Sequence, residues 1–248
     1  MKRLTRCIAL AALSLAAAAA SAAETATVLI TGANRGIGLE YARQFEAKGY
    51  TVIGTARQPD EATELKALGV RVEALDVTDA ASVAALAKRL DGVPIDVLIN
   101  NAGIGDRDDT DVLATDFATF ERTLAVNTIG PLRVTQALLP NLRAGTRKHI
   151  VNMSSRLGSI ALNNGKFPAY RASKAALNQV SRSLSIDLGK QGFVVVAVHP
   201  GWVRTEMGGA EAPLLPDESV RGLLALIERL AASDNGRFYD YLGAEIPW

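Results

Sequence analysis

From Thr27 onward, short runs of β-branched and aliphatic residues alternate with stretches of helical period. Thr27–Thr31, Thr51–Ala56, Val70–Asp76, Asp96–Asn100, Lys148–Ser154 and Phe193–His199 read as six strands, with a short seventh near Phe238–Leu242. Most are close to unbroken apolar runs, the pattern of strands covered on both faces rather than half-solvated. The stretches between them predict helices: one to about Lys48, one between the second and third strands, then Ala80–Leu90. A long helical region follows from Phe117 to Arg143 with a break near Asn127, then Ala169–Lys190 and Leu215–Ala232. Strands that alternate with helices in this way predict an α/β fold, a single doubly wound parallel sheet with helices on both faces. No linker, repeat or low-complexity stretch interrupts the pattern after residue 26, so residues 24–248 read as one domain.

The first residues follow a different pattern. Lys2, Arg3 and Arg6 precede an apolar run from Cys7 to Ala20, and Ser21-Ala22-Ala23 supplies a small-residue exit. This three-part order predicts a signal peptide over residues 1–23, with export to a periplasmic or external compartment; the run is short for a membrane span. There is no twin arginine. Cleavage would remove Cys7, the chain's one cysteine, so compartment redox chemistry leaves no trace in the sequence and no stable membrane span remains. A misassigned start, with a cytoplasmic protein beginning near Thr27, and a retained anchor are the competing readings.

Composition adds mainly exclusions. With 48% hydrophobic and 21% charged residues, the 248-residue chain is ordinary for one globular domain and needs no disulfide or metal staple. Its formal charge of +1 gives no electrostatic footprint for nucleic acid.

Three motifs carry chemistry. Thr31-Gly32-Ala33-Asn34-Arg35-Gly36-Ile37-Gly38 lies between the first strand and its helix. Glycines there permit a tight turn and close approach of phosphates to free N–H groups at a helix N-terminus, as in Rossmann-type dinucleotide sites. The spacing is G-x3-G-x-G rather than the commoner G-x-G-x-x-G. The second strand ends Gly54-Thr55-Ala56-Arg57, without the carboxylate that binds the ribose hydroxyls of NAD. Arg57, with Arg35 from the glycine-rich loop, suits a 2′-phosphate, so the predicted cofactor is NADP(H). Tyr170 and Lys174 are four residues apart on a predicted helix and share a face. A nearby ammonium favours phenolate and would pull the tyrosine below its usual range, allowing proton exchange near neutral pH. Ser154 and Ser155, at the end of the fifth strand, offer a hydroxyl for a substrate oxygen.

These motifs together resemble the short-chain dehydrogenase/reductase family. The resemblance runs from Thr27 to about Gly209 and includes Asp76-Val77, Asn100-Asn101-Ala102-Gly103, Asn127 and the Pro200-Gly201…Thr205 segment. It implies Tyr170 as general acid/base, Ser155 rather than Ser154 as the residue that orients the carbonyl, and Lys174 as the partner of both tyrosine and nicotinamide ribose. Asn127 would support a relay water, and Asp76 and Val77 would flank the adenine. Asn101, with Ala102 and Gly103, would support the central strand and the cofactor. Val203 and Thr205, after Pro200 and Gly201, would contact the nicotinamide carboxamide. A homodimer through the helices around 117–143 and 169–190 is a further family-level expectation. Asn152–Ile160, His199–Gly209 and the Ile246-Pro247-Trp248 ending are similar to C-factor-like and sniffer-like carbonyl reductases. The connection from Ser155 to Tyr170 is longer than in many short-form members and is expected to reshape the substrate pocket.

The remaining candidates have plainer readings. His149 and His199 flank strands, without cysteines or carboxylates at ligand spacing, so they read as structural and no metal is expected. Asp106, Asp108, Asp109 and Asp111 read as a solvated loop. Trp202, Met207, Leu157 and Ile160 follow the fifth and sixth strands, where ligands of α/β folds bind; Trp202 and Leu157 are favoured as pocket lining. The expected function is NADPH-dependent reduction of a small ketone or aldehyde. The rivals are a cofactor-binding signalling protein and an NAD-linked alcohol dehydrogenase.

Overall fold

The computed structural model describes residues 25–105 and 111–248. The strands are β1 Thr27–Ile30, β2 Thr51–Ala56, β3 Arg71–Ala74, β4 Val97–Asn100, β5 His149–Met153, β6 Val194–His199 and β7 Phe238–Asp240. They form one parallel sheet in the order β3-β2-β1-β4-β5-β6-β7. The helices are α1 Gly36–Ala47, α2 Thr63–Ala67, α3 Ala80–Arg89, α4 Phe117–Leu124, α5 Gly130–Ala137, α6 Leu139–Ala144, α7 Pro168–Gly189 and α8 Pro216–Arg229.

The apolar runs explain why both faces are covered. Val28 and Ile30 of β1 join Val97 and Ile99 of β4 and Val194, Val196 and Val198 of β6 in a core under α1 and α8. The intervening Leu29, Leu98 and Val195 point the other way, into a second core with Leu86 of α3, Val134 of α5 and Leu188 of α7. Successive strand residues face opposite sides, so an unbroken apolar run fills both cores at once. Strand order reverses between β1 and β4, and in open α/β sheets the crevice beyond the strand ends at such a point binds ligands.

The long helical region is divided more finely than its pattern predicts. α4 passes into a π turn, Ala125–Ile129, before α5. The break near Asn127 is thus a widened turn, a feature common at functional sites. α6 restarts at Leu139 because Pro140, which has no N–H to give to a continuing helix, sits in its first turn. At the opposite end of the sheet, Asp96 accepts from Thr27 N and Thr146 N, each at 2.8 Å. Burial alone would raise this carboxyl; these bonds hold it below the usual carboxylate range and tie β1, β4 and the turn before β5 together.

Candidate active site

The turn from β1 into α1 is held open by its neighbours. Gly32 has φ +65° and Gly36 φ +56°, conformations that side chains disfavour. A Cβ on Gly38 would lie 2.2 Å from the Gly32 carbonyl oxygen and 2.6 Å from Asn101 Nδ2. Asn101 Nδ2 donates to the carbonyls of Thr31 and Gly32, both at 3.0 Å. The Thr31 hydroxyl accepts from the N–H groups of Asn101 and Ala102, also at 3.0 Å. Asn101 and Ala102 therefore brace the glycine-rich loop against the end of β4. No side chain caps α1 and its first turn carries no acid, so the N-terminal N–H groups keep their affinity for an anion. Asn34 is half-buried in the loop, and Ile37 packs into the core below it.

Arg35 and Arg57 are both exposed on this side of the groove. Arg35 Nε lies 3.3 Å from Glu206 Oε2, an ion pair between the loop and the segment after β6. Asp76 Oδ1 accepts from the Thr78 hydroxyl at 2.6 Å and its N–H at 2.8 Å. Those bonds, led by the hydroxyl and reinforced by Arg57 and Arg133, hold the Asp76 carboxyl below its usual range against partial burial. Val77 is buried against Gly130 at the start of α5. The residues present fit a phosphate-bearing dinucleotide: an uncapped helix N-terminus, glycines that leave no room for side chains, and basic groups in the loop (Arg35) and at the end of β2 (Arg57).

Beyond β5 the two serines differ in their contacts. The Ser154 hydroxyl is buried and donates to Asn178 Oδ1 at 2.5 Å. The Ser155 hydroxyl accepts from Leu157 N at 3.2 Å and hydrogen-bonds the Tyr170 phenol. Tyr170, in the first turn of α7, is half-buried. One turn on, Lys174 is 5% exposed, with Nζ donating to Met153 O at 2.7 Å and lying 5.6 Å from the Tyr170 ring centre. A Cβ on Gly103 would come within 3.7 Å of Lys174 Nζ and 3.3 Å of Asn127 Oδ1, so glycine there keeps this space open.

Protonation runs partly against expectation. Burial pushes the Tyr170 phenol up, and the Ser155 hydrogen bond only partly offsets it. The expected lowering is not seen, because a desolvated ammonium spent on a carbonyl does not outweigh the burial of the phenol. Burial brings Lys174 from 10.5 down to about 8. The phenol is therefore protonated and the lysine mostly cationic at neutral pH.

Asn127, on the π turn, is fully buried. Its amide donates to Ile104 O at 2.8 Å and Ser173 Oγ at 3.0 Å, and its oxygen accepts from Ile104 N at 2.9 Å. It fastens the segment after β4 to α7. After β6, Pro200 O accepts from Ser219 at 2.6 Å and Gly201 takes φ +86°. Val203 is buried, and Thr205 Oγ1 accepts from Gly208 N at 3.0 Å. The Thr205 methyl would lie 3.4 Å from a Cβ on Gly36, so this segment rests on the glycine-rich loop.

The long connection from Ser155 to Tyr170 is tied down at several points. Arg171, buried, donates to Lys166 O at 2.9 Å, to Leu157 O at 3.3 Å and to Asn164 Oδ1. Trp248 O accepts from Ala161 N at 3.2 Å and Ser159 Oγ at 3.3 Å, while the Trp248 ring stacks on Phe238. A cavity of about 700 Å³ lies between this connection, α4 and α7, lined by Leu157, Ile160, Phe120, Arg171 and Ala175 among others. Leu157 lines this cavity; Trp202 does not, standing exposed with Nε1 donating to Gly208 O at 2.8 Å. Ser155 and Tyr170 are not in its wall, so the cavity lies beside the reactive pair. His149 is buried and held below its ordinary range; His199 is brought down to about 4, each chiefly by burial. Among the described residues no cluster of ligating side chains could hold a metal ion, and no helix is long and apolar enough to cross a membrane. Asp106, Asp108, Asp109 and residues 1–23 lie outside the described residues.

Sequence reasoning missed Glu206, Arg171, Asn178 and the Trp248 tie. Each is a contact between segments far apart in the chain, or a side chain whose type alone signals nothing.

Comparisons with known proteins bear on the whole arrangement. Residues 26–213 match the family described as short chain dehydrogenase. The chain is similar to the C-signal protein of Myxococcus xanthus, 49% identical over 163 residues that cover 62% of this chain and 93% of that one. It is also similar to an NADPH-bound carbonyl reductase from chicken fatty liver: TM-score 0.83, 35% identity, 90% of this chain and 99% of that one. Against the carbonyl reductase Sniffer of D. melanogaster the TM-score is 0.85 and the identity 34%, covering 91% and 100%.

Proposed function

The chain belongs to the short-chain dehydrogenase/reductase family, and from that premise we propose that it is an NADPH-dependent reductase of small ketones or aldehydes with Tyr170 as general acid/base. One observation carries the reading: beyond β5 the Ser155 hydroxyl hydrogen-bonds the Tyr170 phenol, and the buried Lys174 ammonium stands 5.6 Å from the centre of the same ring. A lysine that serves only packing has no reason to hold a charge there at the cost of its solvation.

Gly32, Gly36, Gly38 and the start of α1 would hold the pyrophosphate, with Asn34 and Ile37 shaping the turn. Arg35 and Arg57 would take the 2′-phosphate, and Asp76 and Val77 the adenine. Asn101, Ala102 and Gly103, with Pro200, Gly201, Val203 and Thr205, would line the groove toward the nicotinamide. NADPH held there would supply a hydride for the carbonyl carbon. Ser155 donates to the carbonyl oxygen and fixes its position, and Tyr170 gives that oxygen its proton. The raised phenol suits this direction, since it arrives at the substrate protonated. Lys174, whose ammonium releases a proton near pH 8, restores the phenol's proton through a water held near Asn127. Alcohol oxidation uses the same groups in reverse.

The similarity to C-signal keeps a signalling role as the second reading, in which cofactor binding without turnover is the active state. Two further proposals accompany the main one: residues 1–23 direct export, and the protein pairs as a homodimer through the helices around 117–143 and 169–190. The test is oxidation of NADPH and of NADH by the purified protein against a panel of ketones, aldehydes and quinones. Turnover that favours NADPH supports the reductase; tight NADPH binding with no turnover across the panel supports the signalling reading.

A further inference from the structure

The Arg35–Glu206 ion pair joins the two walls of the cofactor groove. Arg35 is the residue before α1, in the loop whose uncapped N–H groups would face the cofactor's phosphates. Glu206 stands on a turn that holds itself: Gly208 N donates to Thr205 Oγ1 at 3.0 Å, Gly209 N to Thr205 O at 2.7 Å, and Trp202 Nε1 to Gly208 O at 2.8 Å. Thr205 of that turn rests on Gly36, so the backbone of Glu206 is held beside the loop and its carboxylate is within reach of Arg35. Both side chains are exposed, Arg35 at 66% and Glu206 at 77%, so neither is locked and either can exchange partners.

We infer that Glu206 sets the affinity of this protein for NADP(H) by competing with the cofactor's 2′-phosphate for Arg35. The inference rests on the NADP reading of the groove. A guanidinium that pairs with a carboxylate must give it up to meet a phosphate, and the carboxylate left behind repels that same phosphate. A phosphate monoester carries a charge of roughly −1.5 to −2 at neutral pH, so the penalty falls on NADPH and largely spares NADH. Glu206 thereby favours release of spent NADP+ at the expense of tight binding. An exposed pair supports an effect of about two- to fivefold, shrinking as salt rises.

The experiment is titration of the full chain with NADPH and with NADH, by calorimetry, for the wild type, Glu206→Gln, Arg35→Gln and the double variant. The inference expects Glu206→Gln to tighten NADPH about two- to fivefold at low salt and leave NADH nearly unchanged. It expects no such gain when Arg35→Gln is already present. Unchanged or weakened NADPH binding in Glu206→Gln would overturn it, as would equal tightening of both cofactors or a gain that persists without Arg35. Wild-type protein that prefers NADH, with Arg35→Gln neutral, would instead remove the NADP reading itself, and the inference with it.

Discussion

Replacing Lys174 by methionine separates a functional lysine from a structural one, because the two readings predict opposite signs. Lys174 is 5% exposed, and burial lowers its pKa from 10.5 to about 8. At about 1.4 kcal/mol per tenfold, that gap means the folded protein spends about 3 kcal/mol to keep the charge at pH 7. Methionine removes the charge at similar length. It also loses the bond to Met153 O, worth about 1 kcal/mol, and the contact with the Tyr170 ring, worth about 0.5 kcal/mol. The net expectation is a gain of about 1–2 kcal/mol for Lys174→Met at pH 7, a rise of roughly 4 °C in melting temperature for a chain of this size. Between pH 8 and 10.5 the unfolded chain holds a proton that the folded chain has shed, so wild-type stability rises with pH across that window. The variant's advantage should therefore have vanished by about pH 10. The assay is thermal and urea unfolding of both proteins at pH 7 and 10 without cofactor, since bound NADPH would stabilise the wild type through Lys174 itself. A variant less stable than wild type at pH 7, or an advantage independent of pH, would show that the buried charge is not a stability cost and return Lys174 to a structural role.

Three other expectations follow from the site. Gly38→Ala puts a methyl 2.2 Å from the Gly32 carbonyl oxygen, so NADPH binding should be lost by calorimetry while circular dichroism reports a folded chain. Ser154→Ala strands Asn178 Oδ1 and should cost about 1–3 kcal/mol of stability with activity largely kept; Ser155→Ala should cost about 10²-fold or more in kcat with little loss of stability, and the reverse pattern in paired assays would reassign the serine role. For reduction, kcat/KM should be level below about pH 8 and fall above it as Lys174 loses its proton, and a profile flat to pH 10 would show that the ammonium is not needed.

The fold was legible because its strands are written twice over: Val28, Leu29 and Ile30 serve two cores in three consecutive positions, which no half-solvated strand does. Helix ends were readable where proline or glycine marks them, as at Pro168 and Pro216. The four-residue spacing of Tyr170 and Lys174 was readable because a helix places both on one face. What escaped depends on contacts across the chain. The resemblance favoured Ser155 over Ser154, but the contact that occupies the Ser154 hydroxyl, Asn178 24 residues away, could not be read from the sequence. The direction of the Tyr170 shift depends on how deeply the phenol is packed, which spacing does not encode. Glu206 meets Arg35 only because the segment after β6 folds over the loop after β1. Lys166 and Phe167, at φ +61° and +53°, turn the chain into α7 in a conformation their residue types do not announce.

The most direct test of the central claim is NADPH oxidation by Tyr170→Phe beside the wild type, on the compound the wild type reduces fastest. Phenylalanine keeps the ring against Lys174 and removes only the hydroxyl that meets Ser155. With Tyr170 as the proton donor, NADPH affinity should stay within a few-fold of wild type and kcat should fall by about 10²- to 10⁴-fold, the range expected for loss of a general acid. Turnover near the wild-type rate in Tyr170→Phe would contradict it and place the proton donor elsewhere.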